Sequence, residues 1–168
     1  SRPKSGLGPF TSITFSAGAG SFSLAGNALT FVGPTGATNN VITQNSSSAQ
    51  TIANTIAANN NNITLTLAGS GTGIVTLSGA ILFSNGQKDY AITKTGTSTF
   101  ILSGANTYQG ATIISAGVLN IQNSAGLGST VSGTSVTSGA ALQLQGGIGV
   151  ANEALTLNGS GVASDGAL

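Results

Sequence analysis

Side chains able to carry out acid–base or nucleophilic chemistry are few in this chain. Of its 168 residues only seven are charged, and there is no His, Cys, Met or Trp. These absences exclude thiol nucleophiles, disulfide bonds, zinc sites built from Cys and His, and acid–base catalysis by His. The carboxylates are Asp89, Glu153 and Asp165. Paired carboxylates at a defined separation are what glycoside hydrolysis requires, so these three acids are the first candidates for catalysis.

The spacing of the three acids argues against such a pair. Asp89 precedes Glu153 by 64 residues, and Glu153 precedes Asp165 by 12. The second spacing is about half of the repeat period described below, which places Glu153 and Asp165 on different faces of a repeating unit. Lys88 and Asp89 are interpreted as a solvated pair in a turn. We therefore predict no catalytic residue and a protein that is not an enzyme, with polysaccharide cleavage as the disfavoured alternative.

Other binding chemistries have equally weak signals. The run Gly69-Ser-Gly71-Thr-Gly73 lacks the glycine spacing of a phosphate loop, and no glycine-aspartate calcium repeat is present. We predict no cofactor and no metal. The rings of Tyr90 and Tyr108 could stack on sugars, but a packing role is favoured for Tyr108. A net charge of +1 gives no footprint for nucleic acid, and no apolar run is long enough for a membrane helix.

The composition favours strands and turns. Hydrophobic residues make up 39% of the chain and mean hydropathy is +0.30, so a buried core is expected despite the 4% of charged residues. Apolar residues alternate with small polar ones, as in Ile63-Thr-Leu65-Thr-Leu67 and Leu155-Thr-Leu157, which is typical of strands with one face buried. Glycines punctuate these stretches about every ten residues. An all-β sandwich, a barrel or a β-solenoid would each give this pattern.

Internal repetition favours the solenoid. The segment 72–80 aligns with 97–105 at an offset of 25 residues, and 117–121 aligns with 140–144 at an offset of 23. The pattern of 63–71 returns at 154–161. A sandwich has no reason to repeat its sequence, whereas each turn, or coil, of a parallel β-helix must stack on its neighbours. We predict one β-helical domain or segment over 1–168, built from coils of roughly 20–25 residues with two or three strands each.

Two segments leave the local structure open. In 47–58, Ile52 and Ile56 have helical spacing, but a strand with Ile52, Asn54 and Ile56 on one face is favoured because the neighbouring coils need a partner there. The run Asn59 to Asn62 fits either a hydrogen-bonded asparagine ladder between coils or a polar loop.

One stretch carries a specific motif. Residues 92–119 contain Lys94-Thr-Gly96, then Leu102-Ser-Gly104-Ala-Asn106-Thr-Tyr108-Gln-Gly110, then Gly117-Val-Leu119. This stretch resembles the autotransporter-associated β-strand repeat, also called the passenger-associated transport repeat, with the best match over 92–121. Ser98 and Ala111 replace glycines of the family pattern, which would loosen a corner and leave the strand register intact.

The resemblance implies a right-handed parallel β-helix at a bacterial cell surface or outside the cell. It assigns structural roles to the motif residues, which are Gly96, Leu102, Ser103, Gly104, Asn106, Thr107, Tyr108, Gly110, Gly117 and Leu119. We therefore predict a structural stalk or filament. The alternative is an adhesin-type module, a passenger segment that binds glycans or surfaces.

The ends of the coil stack are the expected interaction sites. No polar capping helix is apparent at either end, so a terminal coil would expose unpaired backbone groups and a slice of apolar core. We predict that the same chain continues there, as part of a longer chain or fibre, or that subunits associate end to end. Glycans are possible partners, whereas nucleic acid binding and membrane insertion are not expected.

Overall fold

The computed structural model describes residues 10–31, 39–58, 63–82, 90–164 and 166–168, and the pairings between strands in these ranges are all parallel. Fifteen strands are present there, together with one 3-10 turn at Val162–Ser164. The strands are β1 Ser12–Phe15, β2 Phe22–Leu24, β3 Leu29–Phe31, β4 Asn39–Gln44, β5 Gln50–Ile52, β6 Ile56–Ala58, β7 Thr64–Ala68, β8 Val75–Leu77, β9 Ala91–Lys94, β10 Thr99–Leu102, β11 Thr112–Ile114, β12 Gly117–Ile121, β13 Thr134–Val136, β14 Ala140–Leu144 and β15 Leu155–Leu157.

The strands form the walls of a β-solenoid. One wall is a seven-stranded sheet in the order β1-β4-β7-β9-β11-β13-β15, and the second is a six-stranded sheet in the order β14-β12-β10-β8-β5-β2. A third, short wall pairs β3 with β6. Because neighbours within each wall come from successive coils, every ladder of backbone hydrogen bonds joins one coil to the next. The prediction of an all-β parallel solenoid is confirmed.

The register of the ladders matches the repeats in the sequence. Phe100 pairs with Val75 at the predicted offset of 25 residues, and Gly117 pairs with Ala140 at the predicted offset of 23. Leu65 and Leu155 occupy the same position on strands four coils apart, as the longer repeat required. We call such a set of equivalent positions on successive strands a column.

The core fills the lumen between the walls. Every second side chain of a strand points inward, so half-buried and buried residues alternate along β7. Most inward positions are aliphatic or aromatic, but one column of the seven-stranded sheet also contains the buried polar residues Asn40, Thr112 and Thr134. A representative column on the six-stranded sheet consists of Leu24, Ile52, Leu77, Leu102, Ile121 and Leu144. Burying one such side chain contributes about 1.5–3 kcal/mol, which is the main stabilisation of each coil.

The ambiguous segment 47–58 is extended, as favoured. β5 and β6 lie on either side of a corner, and Ile52, Asn54 and Ile56 are all buried. Stacking on β2, β3 and β8 in the neighbouring coils supplies the backbone partners that a helix would not have used. The run 59–62 lies outside the described residues.

Amide ladders of the predicted kind occur elsewhere, on the outer face of the six-stranded sheet and just beyond it. The Asn120 side chain donates to Gln143 Oε1 at 3.2 Å, and the Gln122 side chain donates to Gln145 Oε1 at 2.9 Å. Both pairs join residues 23 positions apart, one coil from the next. Within the described ranges, no helix is long and apolar enough to cross a membrane.

Candidate functional site

The motif residues cluster where three successive coils meet. Leu102 and Leu119 lie in β10 and β12, and both side chains are buried in the lumen. Gly96 lies in the corner before β10, and Gly117 begins β12. The remaining motif residues, 103–110, form the corner between β10 and β11, which we call the motif corner.

Asn106 is the centre of the motif corner. Its side chain is almost completely buried. The Oδ1 atom accepts a hydrogen bond from the Ile81 backbone N–H at 2.8 Å, and the Nδ2 atom donates to the Gly126 carbonyl at 2.7 Å. Ile81 belongs to the preceding coil and Gly126 to the following one, so one amide joins three coils. Asparagine fits because the carboxamide offers a donor and an acceptor at once.

Tyr108 is buried under the same corner. The ring is fully enclosed, and the hydroxyl is 2.7 Å from Thr112 Oγ1 in β11. Burial raises the pKa of Tyr108 well above its ordinary value, with a smaller upward contribution from Glu153, while the hydrogen bond to Thr112 opposes the shift. Tyr90 is also buried, and burial raises its pKa as well. Both rings are buried, so neither is accessible for stacking on a sugar, and Tyr108 packs beneath the corner.

Two glycines of the motif permit close stacking of the coils. A Cβ at Gly104 would lie 2.4 Å from the carbonyl oxygen of Gly79 one coil below, closer than side chains can approach. At Gly96 the backbone has φ +66° and a Cβ would lie 2.3 Å from the Gly69 carbonyl. Both positions therefore require glycine, one because of space and the other because of space and a positive φ.

The remaining motif residues take part in the same ladder. Backbone N–H groups of Ser103 and Thr107 donate to Leu77 and Ile81 in the coil below, at 3.1 and 3.0 Å, and the Gly110 N–H donates to Tyr90 at 3.0 Å. These three backbone hydrogen bonds join the motif corner to the coil below.

The two departures from the family pattern leave the register intact, as predicted. Ser98 is buried, its N–H donates to the Gly69 carbonyl at 3.1 Å and its hydroxyl donates to the Ala68 carbonyl at 3.4 Å. Ala111 accepts from the Ile92 N–H at 3.0 Å. The serine thus adds a side-chain hydrogen bond to the coil below, which a glycine could not make.

Lys94 is a residue whose role the sequence interpretation missed. It stands in an inward column of the seven-stranded sheet whose other members are apolar. Its side chain is buried, and Nζ donates to the carbonyls of Thr95, Gly96 and Ala116 at 2.7, 2.8 and 3.2 Å. Nζ also lies 5.7 Å from the centre of the Phe100 ring. The ammonium therefore satisfies carbonyls of two successive corners.

Burial lowers the pKa of Lys94 to about 8 from its ordinary value of 10.5. The folded protein therefore releases this proton at lower pH than the unfolded chain does. Stability should rise with pH from about 8 towards 10.5, by up to roughly 1 kcal/mol per pH unit. The raised pKa values of Tyr90 and Tyr108 act in the opposite direction above about pH 10. Urea midpoints should thus be measured between pH 8 and pH 9.5.

Lys94→Met is the matched variant for this titration because methionine keeps an unbranched apolar stem, one atom shorter, and has no group that titrates. Its urea midpoint should stay level over the pH interval in which that of the wild-type protein rises. Equal slopes for both proteins would show that Lys94 does not titrate in this range.

Acids and hydroxyls do not converge into a reactive centre in the described part of the chain. Glu153 accepts a hydrogen bond from Thr134 Oγ1 at 2.7 Å. Asp89 and Asp165 lie outside the described residues, so their predicted separation from Glu153 stays a prediction. The described ranges contain no group of three or more His, Cys, Asp or Glu residues that could hold a metal ion.

The part of the chain that contains the motif corner matches a known protein family. Residues 92–121 match the family model described as Passenger-associated-transport-repeat. The resemblance predicted over these residues is confirmed. The chain is also similar to the protein named Adhesin BmaC autotransporter from Brucella suis biovar 1 (strain 1330), at 33% identity over 96 residues, which is 57% of this chain. The matched part is 3% of that protein's length. No solved structure gives a significant match.

Proposed function

We propose that this chain is a structural segment of a β-helical passenger that is exposed at a bacterial surface or secreted, where it serves as a rigid stalk without enzymatic activity. The observation that carries the proposal is the coil-on-coil ladder, which runs through seven strands of one wall. The passenger repeat at 92–121 and the similarity to an adhesin autotransporter support the location.

The stalk follows from the physics of the stack. Each coil contacts only its neighbours, so the length of a solenoid grows in proportion to the number of coils. A parallel ladder adds about 4.8 Å per coil. The motif corner stiffens the stack because Asn106 joins the coil below to the coil above through a buried amide.

Spin-label distances test the rigid stalk directly. One outward column of the six-stranded sheet contains Ser23, Thr76 and Gln143. Thr76 lies two coils from Ser23, and Gln143 lies five coils from it. Labels at Ser23 and Thr76 should give a narrow distance near 10 Å, and labels at Ser23 and Gln143 one near 24 Å, from about 4.8 Å per coil. A broad Ser23–Gln143 distribution, as a flexible linker produces, would contradict the stalk.

Antibody labelling tests the location. Antibodies raised against the purified chain should label intact cells of the source bacterium, or the culture medium if the protein is secreted. Labelling that appears only after the cells are permeabilised would refute the proposed location, with a periplasmic protein as the permeabilisation control.

A second candidate function is glycan binding along the seven-stranded sheet. One outward column of this sheet carries five hydroxyl side chains and no charge. Its members are Ser12, Val41, Thr66, Thr93, Ile113, Ser135 and Thr156. An uncharged row of hydroxyls suits a neutral polysaccharide, and weak contacts repeated along a stalk add up by multivalency.

A glycan array with the purified chain tests this candidate. Selective binding to a neutral glycan should weaken at least about tenfold in Thr66→Val/Thr93→Val, because valine keeps the shape of threonine and removes the hydrogen-bonding group. Ser23→Ala on the other wall is the control. If the chain bound no glycan selectively, or if the double variant bound as well as the wild type, glycan binding by this column would be rejected. The structural stalk would then be the remaining proposal.

A further inference from the structure

The corner that follows β15 contains an asparagine and a glycine side by side. Asn158 and Gly159 are both exposed. Among the described residues, Asn158 is the one asparagine that a glycine follows directly. The backbone nitrogen of the following residue can attack an asparagine carboxamide, and glycine has no side chain that would obstruct the attack. The pair is therefore a candidate site of covalent modification.

The fold requires a glycine at this position. The backbone of Gly159 has φ +82°, and a Cβ would lie 2.6 Å from Ser138 Oγ and 2.7 Å from Ser138 Cα in the coil below. Any other residue would therefore meet both an unfavourable φ and a collision. Close stacking of the two coils thus keeps an unhindered nitrogen next to Asn158.

The nitrogen of Gly159 is also free to react. Its N–H has no hydrogen-bond partner in the part of the chain that the structure describes. The ladder between β13 and β15 ends one residue earlier, where the Asn158 N–H donates to the Val136 carbonyl at 2.9 Å. The carboxamide is weakly held, because Nδ2 donates to the same carbonyl over 3.4 Å. An attack on Asn158 therefore breaks no hydrogen bond of the attacking nitrogen.

Two other asparagines of the stack lack this freedom. The Thr107 N–H, which follows the buried Asn106, donates to the Ile81 carbonyl at 3.0 Å. The Ser46 N–H, which follows Asn45, donates to a buried side-chain oxygen at 3.1 Å. Each of these nitrogens would have to leave its partner by local opening before it could attack. The structure thus distinguishes Asn158 from them by more than its sequence.

We propose that Asn158 is a site of spontaneous deamidation, in which the carboxamide becomes a carboxylate without any enzyme. The Gly159 nitrogen gives its proton to a base in solvent and bonds to Cγ of Asn158. The Cγ–Nδ2 bond breaks, Nδ2 takes a proton from solvent and ammonia leaves, so that a five-membered cyclic imide remains. Water then opens the imide. Cleavage between Cγ and the Gly159 nitrogen gives aspartate, and cleavage between the main-chain carbonyl carbon and that nitrogen gives isoaspartate.

The reaction changes the contact between β13 and β15. The donor beside the Val136 carbonyl becomes a carboxylate oxygen, so two acceptors face each other without a proton between them. Isoaspartate also adds a carbon atom to the backbone just before Gly159, where a Cβ already has no room. Deamidation therefore adds a negative charge to a chain with very few charges and loosens this corner irreversibly.

Thr137 indicates which residue could replace Asn158 without the reaction. Because Leu157 pairs with Val136, Asn158 and Thr137 occupy equivalent positions one coil apart. The Thr137 hydroxyl donates to the Ser115 carbonyl in the coil below it at 3.1 Å. Asn158→Thr therefore keeps a side-chain donor towards the coil below and has no carboxamide that could react.

Incubation of the folded chain in neutral to mildly alkaline buffer, followed by digestion and peptide mass mapping, tests the proposal. Asn158 should gain the mass difference between an amide and an acid at a rate within about tenfold of that in a free peptide of residues 155–161. The rate should rise with pH, because the attacking nitrogen must lose its proton. The exposed Asn27, which Ala28 follows, should react more slowly, and Asn158→Thr should show no change at this position.

Two results would overturn the proposal. Conversion of Asn158 more than about tenfold slower than in the peptide would show that the folded corner protects it. Equal rates at Asn158 and Asn27 would show that the glycine contributes nothing.

Hydrogen exchange tests the loosening of the corner separately. The β15 amides should exchange at least about threefold faster in Asn158→Asp than in Asn158→Thr, because only aspartate sets an acceptor against the Val136 carbonyl. Equal exchange in the two variants would refute the loosening. The spin-label distances that test the stalk do not depend on any of these outcomes.

Discussion

Asn106→Ala is expected to destabilise the protein by about 2–4 kcal/mol. The substitution leaves the Ile81 N–H and the Gly126 carbonyl buried without their partner, and each unsatisfied buried group costs about 1–3 kcal/mol. Because these groups lie in different coils, the loss weakens two stacking interfaces at once. Urea unfolding followed by circular dichroism measures the change, and hydrogen exchange at Ile81 should accelerate in the folded variant.

An exposed asparagine provides the control for this variant. Asn27 lies in a corner of the first coil with its side chain in solvent, so Asn27→Ala should change the free energy of unfolding by less than about 0.5 kcal/mol. If Asn106→Ala were as mild as this control, the amide would not be the joint between the coils.

The architecture could be predicted because two independent periodicities agree. Alternation in Leu65-Thr-Leu67 and Leu155-Thr-Leu157 indicates strands, and the recurrence of the same pattern four coils later indicates stacking. Each coil is a small unit that cannot enclose its own core, so similar residues must recur wherever the coils face each other. The register Leu65 to Leu155 then follows from the alignment without knowledge of the corners.

The contacts within the corners could not be predicted in the same way. The corners differ in length, so the sequence does not reveal that Asn106 reaches Gly126, which lies 20 residues ahead, and Ile81, which lies 25 behind. The motif marked Asn106 as structural, but only the stacked coils show which groups it satisfies.

The inward position of Lys94 is indicated by the alternation of side chains along β9. It follows Ile92 by two positions in a strand, so alternation alone places both side chains inward. A charged side chain usually argues against an inward position. The fold accommodates it because the apolar stem lines the lumen while Nζ reaches the carbonyls of two corners.

Phe100→Ala is expected to cost about 3–5 kcal/mol, the usual range for removing a fully buried phenylalanine from a packed core. Phe100 is enclosed between Val75 and Leu119 of the adjacent coils. The backbone ladders above and below β10 hold the neighbouring coils at a fixed spacing, so these coils cannot close over the cavity. The ring also faces the Lys94 ammonium, which loses this contact.

The matched control for Phe100 is another phenylalanine of the same column. Phe22 stands in β2 at the edge of the six-stranded sheet and is 54% exposed. Phe22→Ala should therefore cost less than about 1 kcal/mol. The difference between the two variants measures how much a complete coil above and below contributes to burial at one position. The two phenylalanines share a column and a wall, and they differ in whether coils enclose them on both sides. Equal losses of stability would therefore mean that enclosure by neighbouring coils does not govern the stability of this stack.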